Sequence, residues 1–188
     1  MNKQLIKQLE SLGALKTGHF LLTSGLHSAQ YMQCAAVFEH PRQAEQIVKQ
    51  LVALLNYKID TVVAPAIGGI TLGYELAKAL DCRFIFAERE NGVMTLRRGF
   101  TLSANEQVLV VEDVVTTGGS VREVIKIVED HDCTVQAVAA LVDRSKGQVD
   151  FDMPFHALLK LDIEVYQPDQ CPLCQADLPL VKPGSRQI

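Results

Sequence analysis

No apolar run in this 188-residue chain approaches the ~20 residues that a membrane-spanning helix requires, which excludes a helical span. Residues 1–10 carry Lys3, Lys7 and Glu10 and build no apolar stretch of a secretory leader. Positive charge is not in excess, since 18 basic residues face 22 acidic ones for a net charge of -4. A protein that grips nucleic acid through a broad basic face is therefore not expected, although local basic clusters remain open. The five cysteines are odd in number, and Cys34 and Cys82 lie in apolar contexts, so reduced thiols and a cytoplasmic location are expected rather than a disulfide framework. Internal repeats and low-complexity runs are absent. What is present, 48% hydrophobic and 21% charged residues over one domain's length, fits a globular protein with a sizeable core.

Two phosphate motifs are also missing. Gly118-Gly119-Ser120 is followed by Val121 and Arg122, so the lysine of a P-loop is not there, and no G-x-G-x-x-G occurs. In their place stands a different segment, Val108-Leu109-Val110-Val111-Glu112-Asp113-Val114-Val115-Thr116-Thr117-Gly118-Gly119-Ser120. Val108 to Val111 read as a strand covered on both faces. From Ser120 onward Val121, Val124, Ile125 and Val128 fall at helical spacing, and Ser120 with Glu123 fits a capping box. Between strand and helix, Thr116 to Ser120 offer backbone N–H groups at a helix start, glycines that let an anion approach, and three hydroxyls. A phosphate monoester fits such a turn. Glu112 and Asp113 beside it would repel a second phosphate but accept hydrogen bonds from a diol, which suits ribose hydroxyls with or without a cation.

The elements around this segment alternate. Gln4 to Leu15 and Pro41 to Leu55 read as helices, with an irregular segment between them. Strands are expected at 61–64, 83–87, 108–111 and 135–142, and helices at 70–80 and 120–131. The economical architecture is an α/β fold whose twisted, mainly parallel sheet is flanked by helices. Ligands in such sheets sit at the carboxyl ends of the strands. Glu112-Asp113, the loop Pro65 to Gly69, Glu88-Arg89 and Asp143-Arg144 all follow predicted strand ends, so four segments converge on one edge. The tail from Pro168, with four prolines, reads as an extended or small appended element.

Segment 108–120 resembles the phosphoribosyl-diphosphate (PRPP) motif of the type I phosphoribosyltransferases. Further segments are similar to those of the orotate-specific members: Gly18-His19-Phe20-Leu21-Leu22-Thr23-Ser24-Gly25-Leu26-His27-Ser28 to the N-terminal substrate segment, and Ala64-Pro65-Ala66-Ile67-Gly68-Gly69-Ile70 to the pyrophosphate loop. Phe86-Ala87-Glu88-Arg89-Glu90-Asn91-Gly92 resembles the start of the mobile loop, and Leu141-Val142-Asp143-Arg144 the orotate-binding strand end. With Cys171-Pro172-Leu173-Cys174, the matches run from residue 18 to 174 in family order.

The resemblance implies a type I phosphoribosyltransferase fold in a single domain, 1–188. Its core would lie at about 41–166, with a small hood element built from about residues 1–40 and the C-terminal tail. It implies transfer from PRPP to orotate, giving orotidine 5′-phosphate and pyrophosphate in pyrimidine synthesis. Mg²⁺ would be held mainly by PRPP, with no protein side chain assigned to a metal. A homodimer is implied, with the lid loop shared across subunits. Asp113 and Arg89 become the catalytic candidates. PRPP falls to Glu112, Asp113, Val114, Val115, Thr116, Thr117, Gly118, Gly119, Ser120 and Arg89, and orotate to Thr116, Arg144, Ser24 and Gly25.

Read without the family, several of these residues keep plain alternatives. Arg144 offers a guanidinium that grips a planar carboxylate through two parallel hydrogen bonds, but a surface ion pair with Asp143 or Asp150 is as ordinary. Ser24-Gly25 is an everyday turn. Glu88 to Phe100, with Arg89, Arg97 and Arg98 around Asn91-Gly92, reads as a cationic hairpin able to close as a lid, or as a solvated turn. Arg97 and Arg98 would then form its far stem.

Two positions depart from the family pattern: Thr23 and Gly68 stand where many orotate enzymes carry lysine. Since no lysine lies between Lys78 and Lys126, cationic work in the lid falls to arginine, which cannot serve as a general acid near neutral pH. Cys171 and Cys174 have the spacing of one half of a zinc knuckle, to be completed by His156 or a second subunit, or else are a reduced pair. The histidines at 19, 27, 40, 131 and 156 show no ligand spacing, and His27 is a candidate to polarise a pyrimidine carbonyl. The rival functions are transfer to another nucleobase, which shares the PRPP motif, and an RNA-binding nucleotide sensor on the same fold.

Overall fold

The computed structural model describes residues 3–22 and 24–183, and the chain divides into two compact units. One runs from Phe38 to Leu161, and the other joins the N-terminal residues up to Val37 with the tail from Asp162.

The larger unit is a six-stranded sheet. Its strands are β3 (Thr61–Pro65), β4 (Arg83–Glu90), β5 (Val93–Leu96), β6 (Gln107–Val115), β7 (Thr134–Asp143) and β8 (Phe155–Lys160), in the order β5-β4-β3-β6-β7-β8. All neighbours are parallel except β5, which pairs antiparallel with β4 at the edge. The apolar runs of the central strands, Thr61 to Pro65, Val108 to Val111 and Ala137 to Asp143, are buried, as β-branched-rich runs covered on both faces require.

Alternation sends the side chains to two covered faces. On one, Val63, Val108, Val110, Val138 and Ala140 pack with Val121, Val124, Ile125 and Val128 of helix α5 (Gly119–Glu129). On the other lie α3 (Pro41–Val52) and α4 (Gly69–Leu80), with Ile47, Val48, Leu51, Leu72 and Leu76 all buried. The one-turn helix α2 (Ala35–Phe38) precedes α3, which Pro41 opens at its first turn, where its missing N–H has no intrahelical partner to lose.

The smaller unit is a four-stranded sheet ordered β10-β1-β2-β9, from β1 (Leu15–Leu21), β2 (His27–Met32), β9 (Val165–Tyr166) and β10 (Leu180–Val181). Two expectations fail in this unit. The first helix, α1 (Lys3–Ser11), ends well before Leu15, because Gly13 and Ala14 donate back to Glu10 and Leu9 and close its last turn. The segment expected to be irregular is a hairpin, with Leu15 pairing Met32 and Leu21 pairing His27. Its register slips between Thr17 and Phe20, where Gly18 and His19 together oppose one partner residue. That bulge hides the period-two pattern. The tail is indeed small elements: a 3-10 turn at Pro168–Gln170, the one-turn helix α6 (Pro172–Gln175) and β10.

Candidate active site

Strand β6 continues four residues beyond the apolar run, so Glu112 and Asp113 lie inside it rather than past its end. Glu112 pairs with Ala140, and Val115 with Asp143. Glu88 and Arg89 likewise lie within β4. The parallel register then brings the β6 turn beside Arg144, whose N–H donates to the Val115 carbonyl at 2.8 Å. Thr116 and Arg144 thus leave adjacent strand ends.

The turn itself depends on Gly118. Its φ of 75° is left-handed, and a Cβ there would lie 2.9 Å from the Phe151 ring and 3.1 Å from Val149. Backbone freedom and lack of a side chain are both required. Gly119 is exposed, with only Thr117 Oγ1 near a built Cβ, at 3.8 Å. Glu112 and residues 114–121 line a cleft of about 70 Å³ above the start of α5. Exposed N–H groups at a helix start attract an anion there.

The expected capping box is not made. Helix α5 begins at Gly119 with Gly118 as its cap, and no side chain bonds the first turn. Glu123 instead forms an ion pair with Arg89 at 2.9 Å. Glycine in the left-handed conformation starts the helix in place of a capping hydroxyl, so the Thr and Ser hydroxyls of the turn are not consumed as caps.

Beside the turn, the acidic pair holds itself in place. Asp113 N–H donates to Glu112 Oε1 at 3.0 Å, and Val114 N–H to Asp113 Oδ1 at 2.9 Å. Burial, with the Asp113 hydrogen bond and charge added, pushes the Glu112 carboxyl up to about 9 from an ordinary 4.5. At neutral pH the pair therefore carries less than its full charge. The loop Ala66-Ile67-Gly68-Gly69 packs against these carboxyls: a Cβ on Gly68 would stand 2.7 Å from Asp113 Oδ1, and one on Gly69 3.3 Å from Glu112 Oε1. Gly68, where a lysine was the family expectation, is thus matched to the space that Asp113 fills.

The cationic hairpin is ordered as two strands joined by Asn91-Gly92, both at positive φ (52° and 86°), the pattern of a type I′ turn. Arg89 donates to the Gly92 carbonyl at 2.8 Å besides pairing with Glu123. Arg97 pairs with Glu90 at 3.2 Å, and Arg98 grips both oxygens of Glu88 at 3.0 Å. All three lid arginines are ion-paired within their own unit, with Arg97 and Arg98 just past the far strand.

Asp143 accepts from the Ser145 amide at 2.8 Å, and Asp150 from the Asp152 amide at 3.0 Å. Ser24 and Gly25 occupy the turn between β1 and β2, closed by Gly25 N–H to Leu22 O at 3.0 Å. Thr23 lies outside the described residues. His156 does not complete the cysteine pair, for its Nε2 meets Tyr57 Oη at 3.0 Å. The partners of Cys171 and Cys174 are His19 and His27, which approach each other at 2.9 Å despite showing no ligand spacing along the chain. His27 is thereby held in this buried cluster. The clue available in sequence was the Ser-Gly turn between two histidines, which folds them onto one hairpin.

Comparison with known proteins accords with this geometry. Residues 33–173 match the model of the phosphoribosyl transferase domain. Over 190 residues the chain is 53% identical to an orotate phosphoribosyltransferase of Caldicellulosiruptor saccharolyticus, covering 100% of both. It is also 53% identical over 186 residues to one of Thermotoga maritima, covering 98% of this chain and 100% of that one. Among solved structures, an orotate phosphoribosyltransferase from Aeropyrum pernix superimposes with a TM-score of 0.73 at 23% identity, covering 84% of this chain and 93% of that one. An adenine phosphoribosyltransferase from Rhodothermus marinus does so with 0.67 at 21% identity, covering 83% and 99%. At those identities the likeness is one of fold.

Proposed function

From the premise that the chain belongs to the orotate phosphoribosyltransferases of the phosphoribosyltransferase family, we propose how its residues carry the reaction. The protein is a pentosyltransferase that moves the ribosyl 5-phosphate group from PRPP to orotate, giving orotidine 5′-phosphate and pyrophosphate in de novo pyrimidine synthesis. The bond from ribose C1 to the pyrophosphate oxygen breaks, the bond from C1 to a ring nitrogen of orotate forms, pyrophosphate leaves with the electron pair, and the proton shed by that ring nitrogen passes to the departing pyrophosphate or to water.

The 5′-phosphate sits in the turn Thr116 to Ser120, held by amides of the α5 start and by the three hydroxyls, with Val114 and Val115 forming the strand edge beneath. Glu112 and Asp113 accept from the ribose hydroxyls. The acidic pair fits the Mg²⁺ that the family implies, because hard oxygen donors suit it and a nearby cation would draw Glu112 into its ionised form. Bound with PRPP, the cation would neutralise the leaving pyrophosphate. Arg144 holds the orotate carboxylate through parallel hydrogen bonds, with Thr116 alongside. Ser24 and Gly25 are assigned to the base on their sequence match. Arg89, exchanging Glu123 for pyrophosphate as the hairpin moves, supplies positive charge and excludes water. The reading extends to a cytoplasmic homodimer that shares this hairpin. Free cysteines throughout the described residues favour the compartment, and no described helix is long and apolar enough to cross a membrane.

One observation carries the residue assignment: a buried strand delivers two carboxyls and a Gly118 turn, which nothing but glycine can fill, to the start of a helix. The test follows orotate absorbance in the near ultraviolet with PRPP, with and without Mg²⁺, against hypoxanthine, adenine and uracil. Orotate should disappear only with both PRPP and Mg²⁺ present. Turnover of another base with orotate untouched would overturn the base-site assignment, and Mg²⁺-independent turnover would overturn the metal.

A further inference from the structure

Apart from the reaction, the smaller unit gathers four groups that the transfer chemistry does not use. His19 Nε2 and His27 Nδ1 lie 2.9 Å apart, Cys171 Sγ is 3.6 Å from His19 Nε2, and Cys174 Sγ is 3.7 Å from His19 Nε2 and 3.3 Å from His27 Nδ1. All four atoms fall within 4.8 Å of one another. His19, His27 and Cys171 are 3%, 5% and 1% exposed, a depth at which unmatched polar groups are costly.

The chain builds this cluster deliberately. Leu21 pairs with His27, so His19, two residues earlier, lies on the same face of the hairpin as His27. Cys171 precedes the single turn of α6, and Gln175 N–H donates back to the Cys171 carbonyl at 3.2 Å, which returns Cys174 over Cys171. Beyond it, Leu178 N–H bonds Leu173 O at 3.1 Å, and the Leu178 carbonyl accepts from His19 Nδ1 at 2.8 Å. That last bond fixes the tautomer of a neutral His19. Its proton is on Nδ1, so Nε2 turns a lone pair into the cluster. A backbone carbonyl on the outer nitrogen is the usual support of a metal-bound histidine.

We propose that His19, His27, Cys171 and Cys174 hold one structural zinc ion. A tetrahedral centre with Zn–N of about 2.0–2.1 Å and Zn–S of about 2.3 Å sets nitrogens about 3.3 Å apart and nitrogen and sulfur about 3.5 Å apart. The observed nitrogen–sulfur separations of 3.3, 3.6 and 3.7 Å bracket the second value, and the two nitrogens, 2.9 Å apart without an ion between them, need only move slightly outward to admit one. Two sulfurs and two imidazoles select zinc among the common divalent ions, and four protein ligands leave no open position for catalysis. The ion ties the tail to the N-terminal hairpin across 152 residues of sequence. The tail needs such a staple, because α6 is one turn long, β10 is two residues, and Leu178, Leu180 and Val181 are 45 to 50% exposed.

The test is metal analysis of untagged protein after dialysis against a weak chelator, with cobalt substitution as the spectroscopic check. About one zinc per chain is expected, and the cobalt form should show the visible bands of a tetrahedral site with thiolate-to-metal charge transfer. Cys174→Ser and His27→Ala should each lower zinc retention at least about 10-fold, whereas His156→Ala should retain it. Hydrogen exchange guards against simple misfolding: loss of the ion should release protection in 168–181 and 15–32 while strand β6 stays protected. Zinc far below one per chain, or cobalt spectra without thiolate bands, would overturn the proposal. So would retention unaltered by Cys174→Ser.

Discussion

The acidic turn of the larger unit and the histidine–cysteine cluster of the smaller one are both compact sites, yet they are encoded in opposite ways. Residues 108–120 carry strand, carboxyls, turn and helix start in one continuous stretch, and the sheet need only present it. The cluster needs a bulged hairpin and a tail 144 residues further on to meet. A contiguous site tolerates changes elsewhere but fails when a single backbone position is altered. A dispersed site tolerates local backbone change but fails when the hairpin and the tail of the smaller unit part.

The sharpest way to break the comparison is Gly118→Val. It places side-chain atoms against Phe151 and Val149 at a left-handed φ, and should cost several kcal/mol of stability, about 2–4 on the scale of overpacking plus strain. Orotate turnover should vanish, and thermal melting with activity assay checks both. Next is Arg144→Ala. Losing a bidentate charge-assisted pair should raise the KM for orotate about 100-fold and leave the KM for PRPP nearly unchanged. Arg144→Lys should not restore it. Steady-state kinetics in both substrates decides.

Arg89→Ala should lower kcat about 10-fold through the lost pyrophosphate contact, with stability altered by under about 1 kcal/mol because its pair with Glu123 is exposed. A smaller but more diagnostic effect is expected at Glu112. Its carboxyl keeps a proton up to about 9 in the folded chain, whereas an unfolded chain loses it near the ordinary 4.5. Deprotonation therefore costs folding stability progressively across that window and nothing below it, where both states are protonated. Glu112→Gln should melt at the same temperature as the parent at about pH 4 and increasingly above it at about pH 6 and pH 8, while losing activity throughout. The smallest change is Ser120→Ala. Since Gly118 caps α5, stability should shift by under about 0.5 kcal/mol where a capping serine would cost about 1, with only the KM for PRPP rising.

What the sequence could disclose follows the same division. The parallel sheet was legible because Val62 to Ala64, Val108 to Val111 and Ala137 to Val142 are buried on both faces and read as unbroken apolar runs. Helices α4 and α5 were legible to within two residues from their periodic faces. The hairpin over 15–32 was not, because Gly18 and His19 interrupt its alternation with a bulge. The capping box at Ser120 and Glu123 was a local pattern overruled by tertiary partners: Gly118 starts the helix and Arg89 takes the glutamate. Thr116 and Arg144 could be placed because each follows a strand end, and the acidic pair because it follows the apolar run, although it proved to lie inside β6, whereas His19 and His27 had no mutual spacing until the hairpin and the tail were in place.

The most direct measurement is an amide-resolved NMR titration of the protein with PRPP and, separately, with ribose 5-phosphate. Both ligands should move the backbone amides of Thr116 to Ser120 together, and only PRPP should also move those beside Gly68 and Gly69. Amides of 116–120 that stay fixed while PRPP binds elsewhere would contradict the assignment of the 5′-phosphate to this turn.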